Sequence, residues 1–133
     1  MAIDPHAESW WHGVGLVHAR AVAEEGRFQH LAERSSTALP RLAADGTRAR
    51  SVYVDGNHRF DGVLIDMVLS DPLLEVGGLL LLDDTWMPSV HKALRFFETN
   101  RTDYRREPCP EASLAVLRKV ARDERDWRHF VDF

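Results

Sequence analysis

Four consecutive leucines, Leu79 to Leu82, lie between a glycine pair, Gly77-Gly78, and an acid pair, Asp83-Asp84. This stretch constrains the fold more than any other. A short unbroken apolar run between glycines and acids has the pattern of a strand buried on both faces, and such strands belong to mainly parallel sheets covered by helices. An earlier apolar run, Val52 to Val54, stops in a similar way on Asp55, Gly56, Asn57 and His58. If the two strands are neighbours, their ends lie about 5 Å apart and their acids can reach a common point.

The segments around these runs alternate. Residues 10–25 carry Val14, Leu16, Val17, Ala21 and Val22 near helical spacing, with Gly26 as a stop. Residues 27–33 alternate weakly as a strand. Residues 35–46 form a short helix with Ser35 or Ser36 available as a cap and Gly46 at its end. Val63, Leu64, Met67 and Val68 make one helical stripe that ends near Asp71-Pro72, and Val90, Ala93, Leu94 and Phe97 make another. The tail after Ala112 fits a strand or a helix. Strand and helix in strict alternation predict an α/β fold, a doubly wound, mainly parallel sheet in one domain. In such sheets ligands collect beyond the carboxyl ends of the strands, where Asp55 to His58 and Asp83 to Trp86 emerge.

With 133 residues and 44% hydrophobic content, the chain has the size and composition of one globular domain. A net charge of −4 argues against a nucleic-acid partner. Cys109 is the single cysteine, so no disulfide can form within the chain, and a reducing, cytoplasmic compartment is expected. No apolar run is long enough to span a bilayer, so no membrane partner is expected.

Asp55, Asp83 and Asp84, with Asn57 nearby, form an all-oxygen set suited to a hard divalent cation such as Mg²⁺. His58, three residues after Asp55, is a titratable group that can take a proton near neutral pH. The plain alternative is that Asp55-Gly56 is a turn and Asp84 caps the helix starting near Pro88. Trp86 is a candidate substrate wall or a packing residue, and the adjacent Trp10 and Trp11 cannot both face one site on a helix. Arg101, Arg105 and Arg106 form a small basic cluster, either solvated or facing an anionic substrate.

The span Val52 to Asp84, with D-G-x-H, then G-G, then D-D, resembles the fourth and fifth strands of class I S-adenosylmethionine-dependent methyltransferases, especially small-molecule O-methyltransferases. The resemblance extends over nearly the whole chain and implies a Rossmann-like fold. It implies that Asp55, Asp83 and Asp84 hold the metal, that Asp55 also borders the cofactor, and that His58 is the catalytic base for methyl transfer to a hydroxyl of a small molecule. Ser35 and Ser36 match positions that contact the adenine, and Asp4 stands near the ribose-binding acid, where the usual position is taken by Ala2.

The family's glycine-rich first motif has no counterpart in residues 1–133. Gly13 and Gly15 sit in an expected helix with no strand before it. The resemblance therefore implies an N-terminally truncated domain with its first strand missing, reduced activity and weak cofactor binding. Its two open sheet edges suit a homodimer. Two other readings stay open: a non-catalytic oligomerising module, and another metal-assisted reaction, hydrolysis or hydroxylation, on the same sheet.

Overall fold

The computed structural model describes residues 1–10, 12–24 and 27–133; Trp11 and the expected helix stop at Gly26 lie outside them. The elements alternate as β1 (Ala2–Ile3), α1 (Val14–Val22), β2 (His30–Leu31), α2 (Ser35–Ala44), β3 (Ala49–Val54), α3 (Phe60–Ser70), β4 (Leu74–Leu82) and α4 (Pro88–Asn100). The chain then closes with β5 (Tyr104–Glu107) and β6 (Ala115–Lys119). The fold is α/β and Rossmann-like.

The pairs joined through helices, β1 with β2 and β3 with β4, are parallel, and antiparallel pairing is confined to the C-terminal strands. β3, β4, β6 and β5 form one sheet in that order, and β1 and β2 form a second. The expected gap is visible here: among the described residues no strand joins β1 to β3. The two parts meet instead through an apolar cluster in which Leu39 and Leu42 of α2 pack with Leu73, Leu69, Ile3 and Leu31. A hydrogen bond from Ser35 Oγ to Asp66 Oδ1, 2.6 Å, ties the start of α2 to α3.

The main core follows strand periodicity. Val54, Leu80, Leu82, Ala115 and Leu117 face α3 and α4 and pack with Val63, Met67, Val90, Leu94 and Phe97. The alternate residues Tyr53, Leu79, Leu81 and Val116 point to the opposite face, where Tyr53 is exposed and the others are half-buried. The leucine run is therefore fully buried on one face only. Its glycine pair has a definite task. The pairing register jumps from Ala49 opposite Leu74 to Ser51 opposite Leu79, and the extra residues bulge out. Gly77 takes a left-handed φ of 93°, while a Cβ on Gly78 would come within 2.9 Å of the Glu75 carbonyl oxygen and 3.1 Å of that of Arg50.

The tail resolves as a strand followed by an extended segment docked on α4. Buried Asn100 donates from Nδ2 to the Val131 carbonyl and accepts from the Val131 N–H, both at 2.8 Å. Phe133 then packs against Phe60, Phe96 and Phe130. Arg101, expected on the surface, is buried. It pairs with Asp103 and Asp71 at 2.7 and 2.9 Å and lies over the rings of Phe97 and Tyr104. Burial alone would lower its pKa, but these carboxylates, Asp103 first, hold it above the ordinary value.

Candidate active site at the ends of β3 and β4

Val54 pairs with Leu82 at the last position of the β3–β4 ladder, and the Asp83 N–H donates to the Val54 carbonyl at 3.1 Å. Asp55 and Asp83 therefore leave the sheet side by side. Beyond this point the chain bends at Asp84, whose φ of 53° is left-handed, a conformation that an aspartate tolerates better than most residues. Gly56 has no left-handed φ, so the turn there does not demand glycine. At Gly62 a Cβ would meet Asn57 Cγ at 2.9 Å, so any larger residue there would shift the Asn57 side chain.

The left-handed backbone directs the Asp84 carboxylate toward the β3 loop. Asp84 Oδ2 lies 3.0 Å from His58 Nε2, and Asp55 Oδ1 lies 3.7 Å from the same nitrogen. Ligand atoms of Asp55, His58 and Asp84 all fall within 4.8 Å of one another. His58 Nε2 is buried and, despite its closeness to Asp84, lacks an aligned hydrogen-bond partner. The loop is held from behind by Ser89 Oγ, which donates to the His58 carbonyl at 2.6 Å, and by the Arg59 N–H, which donates to Asn57 Oδ1 at 3.0 Å.

Asp83 stands next to this group with its oxygens committed. Oδ2 accepts from the Tyr53 hydroxyl, and Oδ1 accepts from the Asp84 N–H at 2.7 Å. The Tyr53 bond, more than any other cause, holds the Asp83 carboxyl below the usual carboxylate range. The same bond, with burial and the negative charges around it, pushes the Tyr53 phenol up to about 12. Asp55 moves the other way: burial, then repulsion from Asp83, raises it, against the attraction of His58.

This donor set fits a hard divalent cation. Asp55 and Asp84 supply carboxylate oxygens from two strand ends, and a bound cation would offset the burial and the repulsion from Asp83 that raise Asp55; the His58 nitrogen, not a hard-cation donor, lies beside them. Asp84 does not cap α4. The N-cap is Met87, with no side-chain bond, and Asp84 Oδ1 instead accepts from Trp86 Nε1 at 2.8 Å.

Of the other expected site residues, Trp86 adjoins this group, whereas Asp4, Ser35 and Ser36 are not among its partners. Asp4 follows β1, and its Oδ1 accepts from the His6 N–H at 2.7 Å. Ser35 is engaged with Asp66, Ser36 is exposed, and neither side chain caps α2, whose N-cap is Arg34. Trp86 is 70% exposed beside Asp84, and Trp10 stacks on His6 with ring centroids 3.9 Å apart. Three residues escaped the sequence reading. Tyr53 had no signal beyond its place two before Asp55. Asp66, raised chiefly by burial, sits in an apolar helical stripe as an isolated acid, which is the kind of signal that could have flagged it. Ser89, one residue inside α4, gave none.

Residues 1–85 match a family described as a methyltransferase domain. The chain belongs to that family. No curated protein matches the sequence. Among solved structures, the methyltransferase domain is similar to a protein of Corynebacterium glutamicum at 21% identity, TM-score 0.64, with 92% of this chain and 61% of that one covered. It is also similar to CalS11, a TDP-rhamnose 3'-O-methyltransferase of calicheamicin biosynthesis, at 16% identity and TM-score 0.62, covering 87% of this chain and 56% of that one. A third is MycE, a methyltransferase of the mycinamycin pathway in complex with Mg and SAH, at 18% identity and TM-score 0.54, covering 84% and 38%. At these identities the likeness is one of fold. The chain spans under two thirds of the length of each of these relatives.

Proposed function

We propose that this domain takes part in methyl transfer from S-adenosylmethionine to a hydroxyl of a small molecule, assisted by a divalent cation, Mg²⁺ by preference. The observation that carries this reading is the convergence of Asp55, His58 and Asp84 at adjacent strand ends in a chain of the methyltransferase-domain family. CalS11 methylates a sugar hydroxyl, and MycE was solved with Mg and SAH, which makes the same chemistry a natural assignment here.

A cation held at this point supplies positive charge that orients an acceptor hydroxyl and lowers its pKa. Asp55 and Asp84 would hold the ion. Asp83, fixed by Tyr53 and by the Asp84 N–H, keeps the turn in shape and adds negative charge beside it. His58 takes the hydroxyl proton on Nε2, with Asp84 3.0 Å away to stabilise the imidazolium that results. On the cofactor side, Asp4, Ser36 and Asp55 are the groups assigned to the methyl donor. Ser35, whose hydroxyl proton is donated to Asp66, can meet it only as an acceptor.

The test is transfer of labelled methyl from S-adenosylmethionine to a panel of phenolic and sugar hydroxyls. Transfer that EDTA abolishes and Mg²⁺ restores is expected; transfer that EDTA leaves intact contradicts the cation's role. A second reading, an assembly module that catalyses nothing, is favoured by one observation: among the described residues β3 pairs only with β4, and β1 only with β2. Light scattering that finds a dimer, together with no transfer to any acceptor, would support it. Localisation in the cytoplasm fits either reading; no helix among the described residues is long and apolar enough to cross a membrane.

A further inference from the structure

An open groove of about 510 Å³ starts at Trp86 and runs along α4, bordered by His91, Leu94, Arg95, Glu98 and Arg106. Its two ends differ in chemistry. At the near end the Trp86 indole is fixed by its Nε1–H bond to Asp84 Oδ1, 2.8 Å, so the ring stands exposed with a set orientation next to the carboxylate group. At the far end Arg95 and Arg106 both reach for one acid. Arg95 NH1 lies 3.2 Å from Glu98 Oε2, and Arg106 NH1 lies 3.1 Å from Glu98 Oε1.

That sharing leaves a surplus. Two guanidiniums against one carboxylate carry one net positive charge, in a chain whose net charge is −4. Among the described residues each arginine spends one contact on Glu98 and makes no other side-chain bond, so Glu98 holds the two forks over the groove while leaving them able to bind an anion.

We propose that this groove binds an acceptor that carries an anionic group, carboxylate or phosphate, on the part of the molecule away from its methylated hydroxyl. The anion lies between Arg95 and Arg106, and the body of the molecule lies against Trp86. This rests on the methyl-transfer reading for the identity of the hydroxyl, while the anion preference stands on the groove alone.

The experiment is a ligand-observed NMR titration of the protein with phenyl phosphate, benzoate and neutral benzyl alcohol, in EDTA and without S-adenosylmethionine. EDTA removes any route through a metal, so failure here leaves methyl transfer untouched, and failure of methyl transfer leaves this result standing. At least one anion is expected to bind about tenfold tighter than benzyl alcohol, the effect of one or two charge-assisted hydrogen bonds, and the two anions together tell phosphate from carboxylate. The double variant Arg95→Ala/Arg106→Ala is expected to lose that preference, and Glu98→Gln, which removes the competing charge, to strengthen it. Equal binding of all three probes overturns the proposal, as does a preference that survives in a folded double variant. If the double variant does not fold, an unchanged preference in Glu98→Gln overturns it.

Discussion

At the scale of single residues, the chemistry depends on side chains whose direction is set by one backbone angle and a few hydrogen bonds. Tyr53 and Asp83 illustrate the electrostatics. The phenol stays protonated up to about 12 because its proton is held on Asp83. Tyr104, the only other tyrosine, is also raised, by burial and then by Asp71. Ultraviolet titration of the native protein should therefore show almost no tyrosinate at pH 10, while the urea-unfolded chain should ionise both tyrosines near their ordinary value of about 10. With folded pKa values raised above unfolded ones, this stabilisation is complete below pH 10 and is lost as pH rises through the folded values. A native protein that shows one full tyrosinate at pH 10 would mean the Tyr53–Asp83 bond is absent in solution. Asp55, Asp84 and His58 were legible in the sequence because acids and a histidine at the stops of two apolar runs mark strand ends. The left-handed turn at Asp84 was not legible. Aspartate permits that conformation without requiring it, and only the tertiary setting of the β4 end decides which way the carboxylate points.

At the scale of elements, two features hold the site's scaffold. The buried network of Arg101, Asp71, Asp103 and Lys119 ties the C-terminal end of α4 to the loop before β4 and to β6. Removing Asp103 leaves part of a buried guanidinium uncompensated, so Asp103→Ala should destabilise by about 3 kcal/mol in urea unfolding. Burial opposes the charged form of Asp71, but bonds from Lys119 and Tyr104 outweigh it and hold that carboxyl below the ordinary range. A depressed carboxylate stabilises the fold above its unfolded pKa and stops doing so as pH falls through the folded value. The network's contribution should thus fade below about pH 4. Asn100→Ala should cost about 1–3 kcal/mol by leaving the Val131 N–H and carbonyl unpaired. It should also speed amide exchange across residues 125–133; an unchanged exchange rate there would contradict the docking of the tail. The helices and buried strands could be read from periodicity. The tail could not, because Asn100 recognises backbone rather than a side-chain pattern, and the burial of Arg101 depends on Asp103 together with Asp71 from a distant segment.

At the scale of the whole molecule, stability is unevenly shared. The sheet of β3, β4, β6 and β5 packs its core against α3 and α4, whereas α1 buries Leu16 and leaves Val14, Val17 and Val22 exposed. Native-state hydrogen exchange should therefore find β4 and β6 the most protected and α1 among the least, and equal protection would contradict this division. The gap between β1 and β3 was foreseeable from the missing glycine-rich motif, whereas the order β3, β4, β6, β5 was not. The sheet's second face was not, since four leucines in a row give no sign of which two lie open. The proposed methyl transfer, the proposed base role of His58 and the direction of Asp84 all converge on the candidate cation site. The direct measurement is Mn²⁺ binding followed by electron paramagnetic resonance, on the wild type and on Asp55→Asn, Asp83→Asn and Asp84→Asn. One site on the wild type is predicted, weakened at least about tenfold by loss of either Asp55 or Asp84 and less by loss of Asp83. Absence of a site, or a site that neither the Asp55 nor the Asp84 change affects, would contradict the account.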